Sequence, residues 1–222
     1  MMNPPLEYLV RNPKVTTTNP PLLLLLHGVG SNEKDLFSLA DDLPESLLII
    51  SIRGPLVLGR DRFGWYEISF QGGSPKIDIG QQEVSHQKIL EFLEYTKSQF
   101  QFDENNVWIG GFSQGAVMSY SVGLEHPKQF KGILALSGRL LEETKQKLNA
   151  SAKESPNEEA IRQKIYIAHG TNDYVISVNS ARNSKESLES LGKNPKYKEY
   201  SEGHTISQEM LKDLVGWLAV EL

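Results

Sequence analysis

This chain repeats one pattern, a short aliphatic run followed by a longer segment with helical periodicity. Several of the runs are apolar at consecutive positions, as expected of parallel strands that are covered on both faces. The runs are Leu22 to Leu26, Leu47 to Ile52, Val107 to Ile109, Ile133 to Leu136 and Ile165 to Ala168. The alternation predicts an α/β fold, with a mostly parallel central sheet and helices on both faces.

Two segments have the three-to-four residue spacing of helices with one apolar stripe. The first stripe consists of Ile89, Phe92, Leu93, Thr96 and Phe100, and the second of Met210, Leu211, Leu214, Val215 and Leu218. A third segment, Tyr197 to Tyr200, alternates and is more polar, which predicts an edge strand. We find no internal repeat and no shift in composition, so residues 1–222 are expected to form a single domain.

Two stretches depart from this pattern. Residues Gly54 to Gly80 are rich in glycine and proline but carry Phe63, Trp65, Tyr66 and Phe70, which predicts a long ordered excursion rather than a linker. The segment from Arg139 to Gln163 is polar, mixed in charge and almost free of aromatic residues, which predicts a solvated helix or a mobile flap.

Composition excludes several classes of function. The 222 residues include 23 Lys and Arg against 28 Asp and Glu, a net charge of −5, so the chain has no cationic excess for nucleic acid. The absence of cysteine removes disulfides, thiolate zinc sites and cysteine nucleophiles. The longest aliphatic run, Leu22 to Leu26, is far shorter than a membrane span, and Met1 to Lys14 does not resemble a secretory signal. We therefore expect a cytoplasmic protein.

The sequence Gly111-Phe112-Ser113-Gln114-Gly115 matches G-x-S-x-G. A predicted strand, Asn105 to Ile109, comes just before it, and a predicted helix start, Ala116 to Tyr120, follows it. A serine nucleophile held in a strained strand-to-helix turn needs this setting, with small residues two positions away on either side. The alternative is an ordinary glycine turn before a helix that is capped by a serine.

A serine hydroxyl needs a base, and the base needs an acid that fixes its tautomer. For the chain order Ser, Asp or Glu, His, the candidates after Ser113 are Asp173 and His204, which both follow predicted strands. Asp173 could instead be a turn or capping residue, and His204 could cap the final helix. We expect His169 to be structural, since it precedes the acid. His86 and His126 are expected at helix surfaces or ends, without a catalytic role.

Ester chemistry also requires two N–H donors for the oxyanion. The backbone of Gln114 at the start of the helix can supply one, and that of Val29 between Gly28 and Gly30 can supply the other. The alternative for the glycine turn is a phosphate-binding loop, but neither G-x-G-x-x-G nor G-x-x-x-x-G-K-[ST] occurs there.

The chain resembles the phospholipase/carboxylesterase family, which includes acyl-protein thioesterases and small bacterial carboxylesterases. The matching segments are Leu26 to Gly30, Arg53 to Pro55, Gly64 to Ile68, Gly111 to Gly115, His169 to Asp173, and Gly203-His204. The resemblance implies an α/β-hydrolase fold with a shortened sheet. It also implies Ser113 as nucleophile, Asp173 and His204 as its partners, and the amides of Val29 and Gln114 as the oxyanion hole.

The chain departs from the family in two places. Many relatives have a proline shortly after the acid, where this chain has Tyr174 to Ser177, and Arg139 to Gln163 lacks the hydrophobic loop thought to receive long lipid chains. We therefore predict a serine carboxylesterase for short to medium acyl chains. An acyl thioesterase or lysophospholipase is the first alternative, and a noncatalytic binding module is the second.

The aromatic pair Trp65 and Tyr66 has two interpretations. These side chains could line the substrate pocket, or they could fix the excursion to the core. The predicted chemistry requires no metal and no organic cofactor, and the substrate is expected to be a small ester or thioester. Relatives often form dimers, so a homodimer is possible.

Overall fold

The computed structural model describes residues 3–69, 76–154 and 161–222. Its main feature is a seven-stranded sheet with the order β1-β3-β2-β8-β9-β10-β11. The strands are β1 (Tyr8–Arg11), β2 (Leu22–Leu26), β3 (Leu48–Ile52), β8 (Val107–Phe112), β9 (Gly132–Leu136), β10 (Lys164–Gly170) and β11 (Lys196–Tyr200). All neighbouring strands pair in parallel except β1, which is antiparallel to β3. The prediction of an α/β fold with a mostly parallel sheet is confirmed.

Every predicted aliphatic run forms a strand, with ends that shift by up to three residues. The polar run Tyr197 to Tyr200 lies in β11, at one edge of the sheet as predicted. The opposite edge strand, β1, was not predicted. Its four residues are half-buried for the most part, so the sequence carries neither an apolar run nor a clean alternation there.

Helices cover both faces of the sheet. They are α1 (Lys34–Phe37), α2 (Ile79–Gln99), α3 (Gln114–Glu125), α4 (Glu142–Glu154), α5 (Val178–Ser190) and α6 (Gln208–Glu221). The two predicted amphipathic segments lie in α2 and α6, although Phe100 falls just beyond the end of α2. Asp78 and Ser207 cap the N-termini of these two helices by accepting hydrogen bonds from backbone N–H groups.

The central strand β2 explains why the aliphatic runs are continuous. Leu22, Leu24 and Leu26 belong to one hydrophobic core, together with residues of α2, α3 and α5. Leu23 and Leu25 belong to a second core on the other face, together with residues of α1 and α6. Because successive side chains of a strand point to opposite faces, a strand between two cores must be apolar at every position.

The Gly- and Pro-rich excursion is ordered over its described residues. It forms a hairpin of β4 (Leu56–Gly59) and β5 (Arg62–Gly64), followed by the short pair β6 (Ile68–Ser69) and β7 (Lys76–Ile77). Phe70 lies outside the described residues. In the polar segment the predicted helix is present as α4, while residues 155–160 also lie outside the described part.

No helix in residues 3–69, 76–154 and 161–222 has the length and apolar character needed to span a membrane.

His86 was expected on a helix surface, and this expectation is wrong. Its side chain is buried between α2 and α3, with Nδ1 3.2 Å from the Ser121 hydroxyl and Nε2 3.0 Å from Nε2 of His126. His126 does lie at a helix end, immediately after α3. The charged groups around the pair are Glu125, Glu83 and Lys147. The apolar positions of α2 indicated the buried face but gave no reason to place a histidine on it.

Burial lowers the pKa of both His86 and His126, although the carboxylate of Glu125 opposes this shift. Between the lowered pKa and the ordinary value of 6.5, the unfolded chain binds more protons than the folded one. The free energy of unfolding should therefore decrease as the pH falls below neutrality. We expect the decrease between about pH 7.5 and about pH 5.5 to be smaller in His86→Gln than in the wild type.

Chemical denaturation at a series of pH values measures this difference. Ser121→Ala is the matched control, because it removes a contact of His86 without removing a titrating group. It should lower stability at every pH and leave the slope unchanged. Equal pH slopes for the wild type and His86→Gln would contradict the prediction.

Candidate active site

Ser113 occupies a strained turn between β8 and α3. Its φ is 53° and its ψ is −116°, a conformation that residues with side chains rarely adopt. A Cβ atom added to Gly111 would lie 2.3 Å from the carbonyl carbon of Gly115, and one added to Gly115 would lie 1.9 Å from the carbonyl oxygen of Leu26. Neither position can therefore accommodate a side chain. The Ser113 side chain makes no helix-capping hydrogen bond, which argues against the alternative of an ordinary capping serine.

Three loops at the carboxyl ends of parallel strands bring the predicted residues together. Ser113 follows β8, Asp173 follows β10 and His204 follows β11. The last two loops are joined by backbone hydrogen bonds from Thr171 N–H to the Tyr200 carbonyl (2.7 Å) and from Asn172 N–H to the Glu202 carbonyl (2.9 Å). Asp173 and His204 are thus held relative to each other at the same sheet edge.

The three side chains form a continuous hydrogen-bonded chain. His204 Nε2 lies 2.8 Å from Ser113 Oγ, and His204 Nδ1 lies 2.6 Å from Asp173 Oδ2. The Asp173 side chain is fully buried, while 17% of the His204 side chain is exposed. The imidazole therefore connects an enclosed carboxylate to a hydroxyl at the edge of solvent.

Asp173 is held as an anion. Burial acts to raise its pKa, but the hydrogen bond from His204 and those from the backbone N–H groups of Ile176 and Val175 outweigh burial and lower it. These two N–H groups donate to Oδ1 at 2.9 and 2.8 Å. Because a carboxylate only accepts, His204 Nδ1 carries a proton and donates it to Asp173, while Nε2 faces the Ser113 hydroxyl. This arrangement can remove a proton from the hydroxyl.

The sequence also allowed Asp173 to be a turn residue and His204 to be a helix cap, and the structure gives a different answer for each. Asp173 does accept from N–H groups of its own turn, as a turn residue would, and it also reaches His204. His204 does not cap the final helix, because Ser207 provides that cap.

The glycine turn after β2 lies against Ser113. A Cβ atom on Gly28 would be 3.5 Å from Ser113 Cβ, and the Gly30 N–H is bound to the Phe63 carbonyl at 2.7 Å. In the part of the chain that the structure describes, the backbone N–H groups of Val29 and Gln114 have no hydrogen-bond acceptor. The N–H of Gln114 follows Ser113 directly in the chain, and that of Val29 belongs to the residue after Gly28, which packs against Ser113.

A buried polar network connects the start of α3 to the end of β2, and no pattern in the sequence indicates it. The Gln114 side chain accepts from Trp65 N–H at 2.9 Å and donates to the Tyr66 carbonyl at 2.7 Å. The Trp65 indole N–H donates to the His27 carbonyl at 2.9 Å, and His27 Nε2 accepts from Gly54 N–H at 2.9 Å. The partners are far apart in the chain, so no local motif could reveal the contacts.

The two aromatic candidates have different surroundings. Trp65 has no exposed surface, and its contacts fix the excursion to the core. Tyr66 lines a cleft of about 450 Å³ whose other walls include Val29, Leu58 and Ile68. A larger cavity of about 850 Å³ lies between β7, the start of α4 and α5. Its charged lining residues are Lys76, Arg139, Glu142, Glu143, Lys145 and Glu186.

The described residues contain no group of three or more His, Asp or Glu side chains placed to hold a metal ion.

Comparison with known proteins supports a hydrolase. Residues 9–222 match the model of the phospholipase/carboxylesterase family. The chain is 26% identical over 186 residues to acyl-protein thioesterase 1 of Emericella nidulans, covering 77% of this chain and 76% of that protein. It is 28% identical over 161 residues to acyl-protein thioesterase 1 of Debaryomyces hansenii, covering 70% of this chain and 66% of that protein.

Solved structures show the same fold over nearly the whole chain. Esterase PE8 superimposes with a TM-score of 0.79 at 25% identity, covering 98% of this chain and 99% of the esterase. Acyl-protein thioesterase 2 of Zea mays gives a TM-score of 0.79 at 22% identity, covering 97% of this chain and 98% of that chain. With the family model matched from β1 to the C-terminal residue, the chain belongs to the phospholipase/carboxylesterase family of α/β hydrolases.

Proposed function

We propose that this protein is a serine carboxylesterase that hydrolyses carboxylic esters of short to medium acyl chains through an acyl-enzyme. The observation that carries the proposal is the chain of hydrogen bonds of 2.8 and 2.6 Å from Ser113 through His204 to Asp173. This chain contains a nucleophile, a general base and an orienting carboxylate in the order that acyl transfer requires.

In the proposed reaction, Ser113 Oγ attacks the ester carbonyl carbon while its proton passes to His204 Nε2. Asp173 stabilises the resulting imidazolium and keeps Nδ1 protonated. The tetrahedral intermediate then collapses, the carbon–oxygen bond to the alcohol breaks, and the alcohol leaves with the proton from His204. Water then attacks the carbonyl carbon of the acyl-enzyme while its proton passes to His204. The bond from that carbon to Ser113 Oγ breaks, the carboxylic acid leaves, and His204 returns the proton to Oγ.

The backbone N–H groups of Val29 and Gln114 are the proposed donors to the oxyanion. Both flank Ser113 and have no acceptor among the described residues. The donor at Gln114 also lies at the N-terminus of α3, where the helix dipole favours negative charge. Loss of one such donor costs about 100-fold to 1000-fold in turnover. The network through Trp65 and His27 supports this role, since it holds the two donors at a fixed distance from each other.

The walls of the cavities favour short acyl chains. Burial of each methylene group contributes about 0.8 kcal/mol only where the surrounding surface is apolar. The cleft beside Val29 and Tyr66 offers such surface, while the larger cavity is lined by charged side chains such as Arg139 and Glu143. We therefore assign the acyl group to the Tyr66 cleft and propose that Trp65 supports the site without contacting substrate.

A second candidate is an acyl thioesterase or lysophospholipase that uses the same residues. It is favoured by the relatives from Emericella nidulans and Debaryomyces hansenii, which are named acyl-protein thioesterases. The remote alternative is a noncatalytic module on the same scaffold. A cytoplasmic location and a homodimer stay predictions from the sequence.

Substitution of Ser113 tests the nucleophile. Ser113→Ala should lower kcat on p-nitrophenyl butyrate by about 10⁴-fold or more and abolish labelling by a fluorophosphonate probe. Asp173→Asn should lower kcat by about 10⁴-fold, because it favours the wrong tautomer of His204. Ser121→Ala is the matched control, because Ser121 is also buried and also contacts a histidine. It should retain labelling and turnover. Labelling of Ser113→Ala at the wild-type level would contradict the proposal.

Removal of the Trp65 indole N–H tests the support of the oxyanion donors. Trp65→Phe keeps an apolar ring but loses the bond to the His27 carbonyl, so kcat should fall by about tenfold to 100-fold with little change in KM. Trp108→Phe is the control, since Trp108 is equally buried and its N–H binds Asn106 away from the site. It should lower the Tm without lowering kcat. Wild-type kcat in Trp65→Phe would contradict the supporting role.

A panel of substrates distinguishes the two candidate activities. We expect kcat/KM for p-nitrophenyl butyrate to exceed the values for a palmitoyl thioester and for a lysophospholipid, because a long chain lacks a continuous apolar wall in the cavity beyond the Tyr66 cleft. A Tyr66→Ala variant should lose selectivity among short esters. A higher kcat/KM for the palmitoyl thioester would favour the thioesterase.

A further inference from the structure

His169 lies directly behind the carboxylate of Asp173. It is the residue before the last in β10, and its side chain has no exposed surface. Its Nε2 atom is 2.7 Å from the Ile176 carbonyl oxygen and 3.3 Å from Asp173 Oδ2. From the chain order we expected His169 to be structural, because it precedes Asp173.

The surroundings of His169 determine which of its ring nitrogens carries a proton. A carbonyl oxygen only accepts, so Nε2 carries a proton and donates it to the Ile176 carbonyl, while Asp173 Oδ2 lies 3.3 Å from the same nitrogen. Nδ1 is buried and has no hydrogen-bond partner in the described part of the chain, so it has no acceptor for a second proton. A buried nitrogen without a partner is costly, and a site that retains one calls for a reason other than stability.

We propose that His169 is a positioning residue for the catalytic acid: its Nε2–H clamps the turn of residues 173–176 and shares the charge on Asp173 Oδ2 with His204. The inference rests on the proposed function, because it assigns His169 a role only if Asp173 orients His204.

The turn needs such a clamp because its outer side is in solvent. Tyr174 is 97% exposed and Val175 is 69% exposed, so neither side chain anchors the turn to the core. The backbone of Ile176 is held on both sides instead, since its N–H donates to Asp173 Oδ1 and its carbonyl accepts from His169. Loss of the His169 contact would free the carbonyl and loosen the N–H that holds Oδ1.

The second effect is electrostatic. A donor near Oδ2 withdraws negative charge from the oxygen that binds His204 Nδ1. Without His169, more of that charge acts on His204 and favours its protonated form, which cannot accept the Ser113 proton. In the pH profile of kcat/KM, the acidic limb, where activity rises with pH, should then move to higher pH. A residue that only filled space would not move this limb.

The test compares two substitutions at the same position. His169→Leu removes the donor, and we expect kcat/KM for p-nitrophenyl butyrate to fall by about tenfold or more and the acidic limb to move up by about half a pH unit. His169→Gln retains an N–H donor of similar reach and should recover most of both effects. His86→Leu, at another buried histidine remote from Ser113, should lower the Tm and leave the limb in place.

Circular dichroism establishes that each variant is folded before its kinetics are compared. Should His169→Leu be unfolded, His169→Gln against His169→Asn supplies the same comparison, because the shorter amide reaches the turn less well. If the acidic limb of kcat/KM lies at the wild-type pH in all folded His169 variants, the inference is overturned while the proposed function stays intact. Activity retained in Ser113→Ala would instead overturn the proposed function itself.

Discussion

The contact between the Leu26 carbonyl and the α-carbon of Gly115 sets the geometry on which the site depends. With only 1.9 Å between that oxygen and a hypothetical Cβ, α3 can pass directly over the end of β2 only where residue 115 is glycine. Two residues before Gly115, Ser113 has the strained backbone conformation that joins β8 to α3. The β2 turn and the N-terminus of α3 are thereby brought to the same point in space.

Around this turn, the other loops serve to hold donors and acceptors at fixed distances. The β10 and β11 loops are joined by backbone hydrogen bonds that fix Asp173 relative to His204. On the opposite side, Gln114, Trp65 and His27 link the Gly- and Pro-rich excursion to the turn between β8 and α3 and to the turn that contains Val29. The network is buried, and a buried network of satisfied hydrogen bonds is rigid. Groups that stabilise developing charge are effective only when they do not need to reorganise, which explains why so much polar structure lies beneath a small site.

The sequence predicted the strands because burial between two cores demands uninterrupted aliphatic runs, as in Leu22 to Leu26. It also led to Ser113, Asp173 and His204, since chain order and strand ends leave few alternatives. It did not reveal β1, whose pairing with β3 depends on a partner about 40 residues away rather than on its own pattern. It misplaced His86, and it could not assign the side chain of Gln114 or the role of His169. All of these depend on contacts between residues remote in the chain, which a periodic pattern does not encode.

The central claim is that an acyl group is carried on one serine, and trapping that intermediate tests it most directly. The wild-type enzyme would be mixed with p-nitrophenyl butyrate, quenched in acid within milliseconds, digested and analysed by mass spectrometry. The account predicts a butyryl group on the peptide that contains Ser113, at an occupancy that falls to zero in Ser113→Ala. A butyryl group on a different residue, or an unchanged rate of hydrolysis in Ser113→Ala, would contradict it.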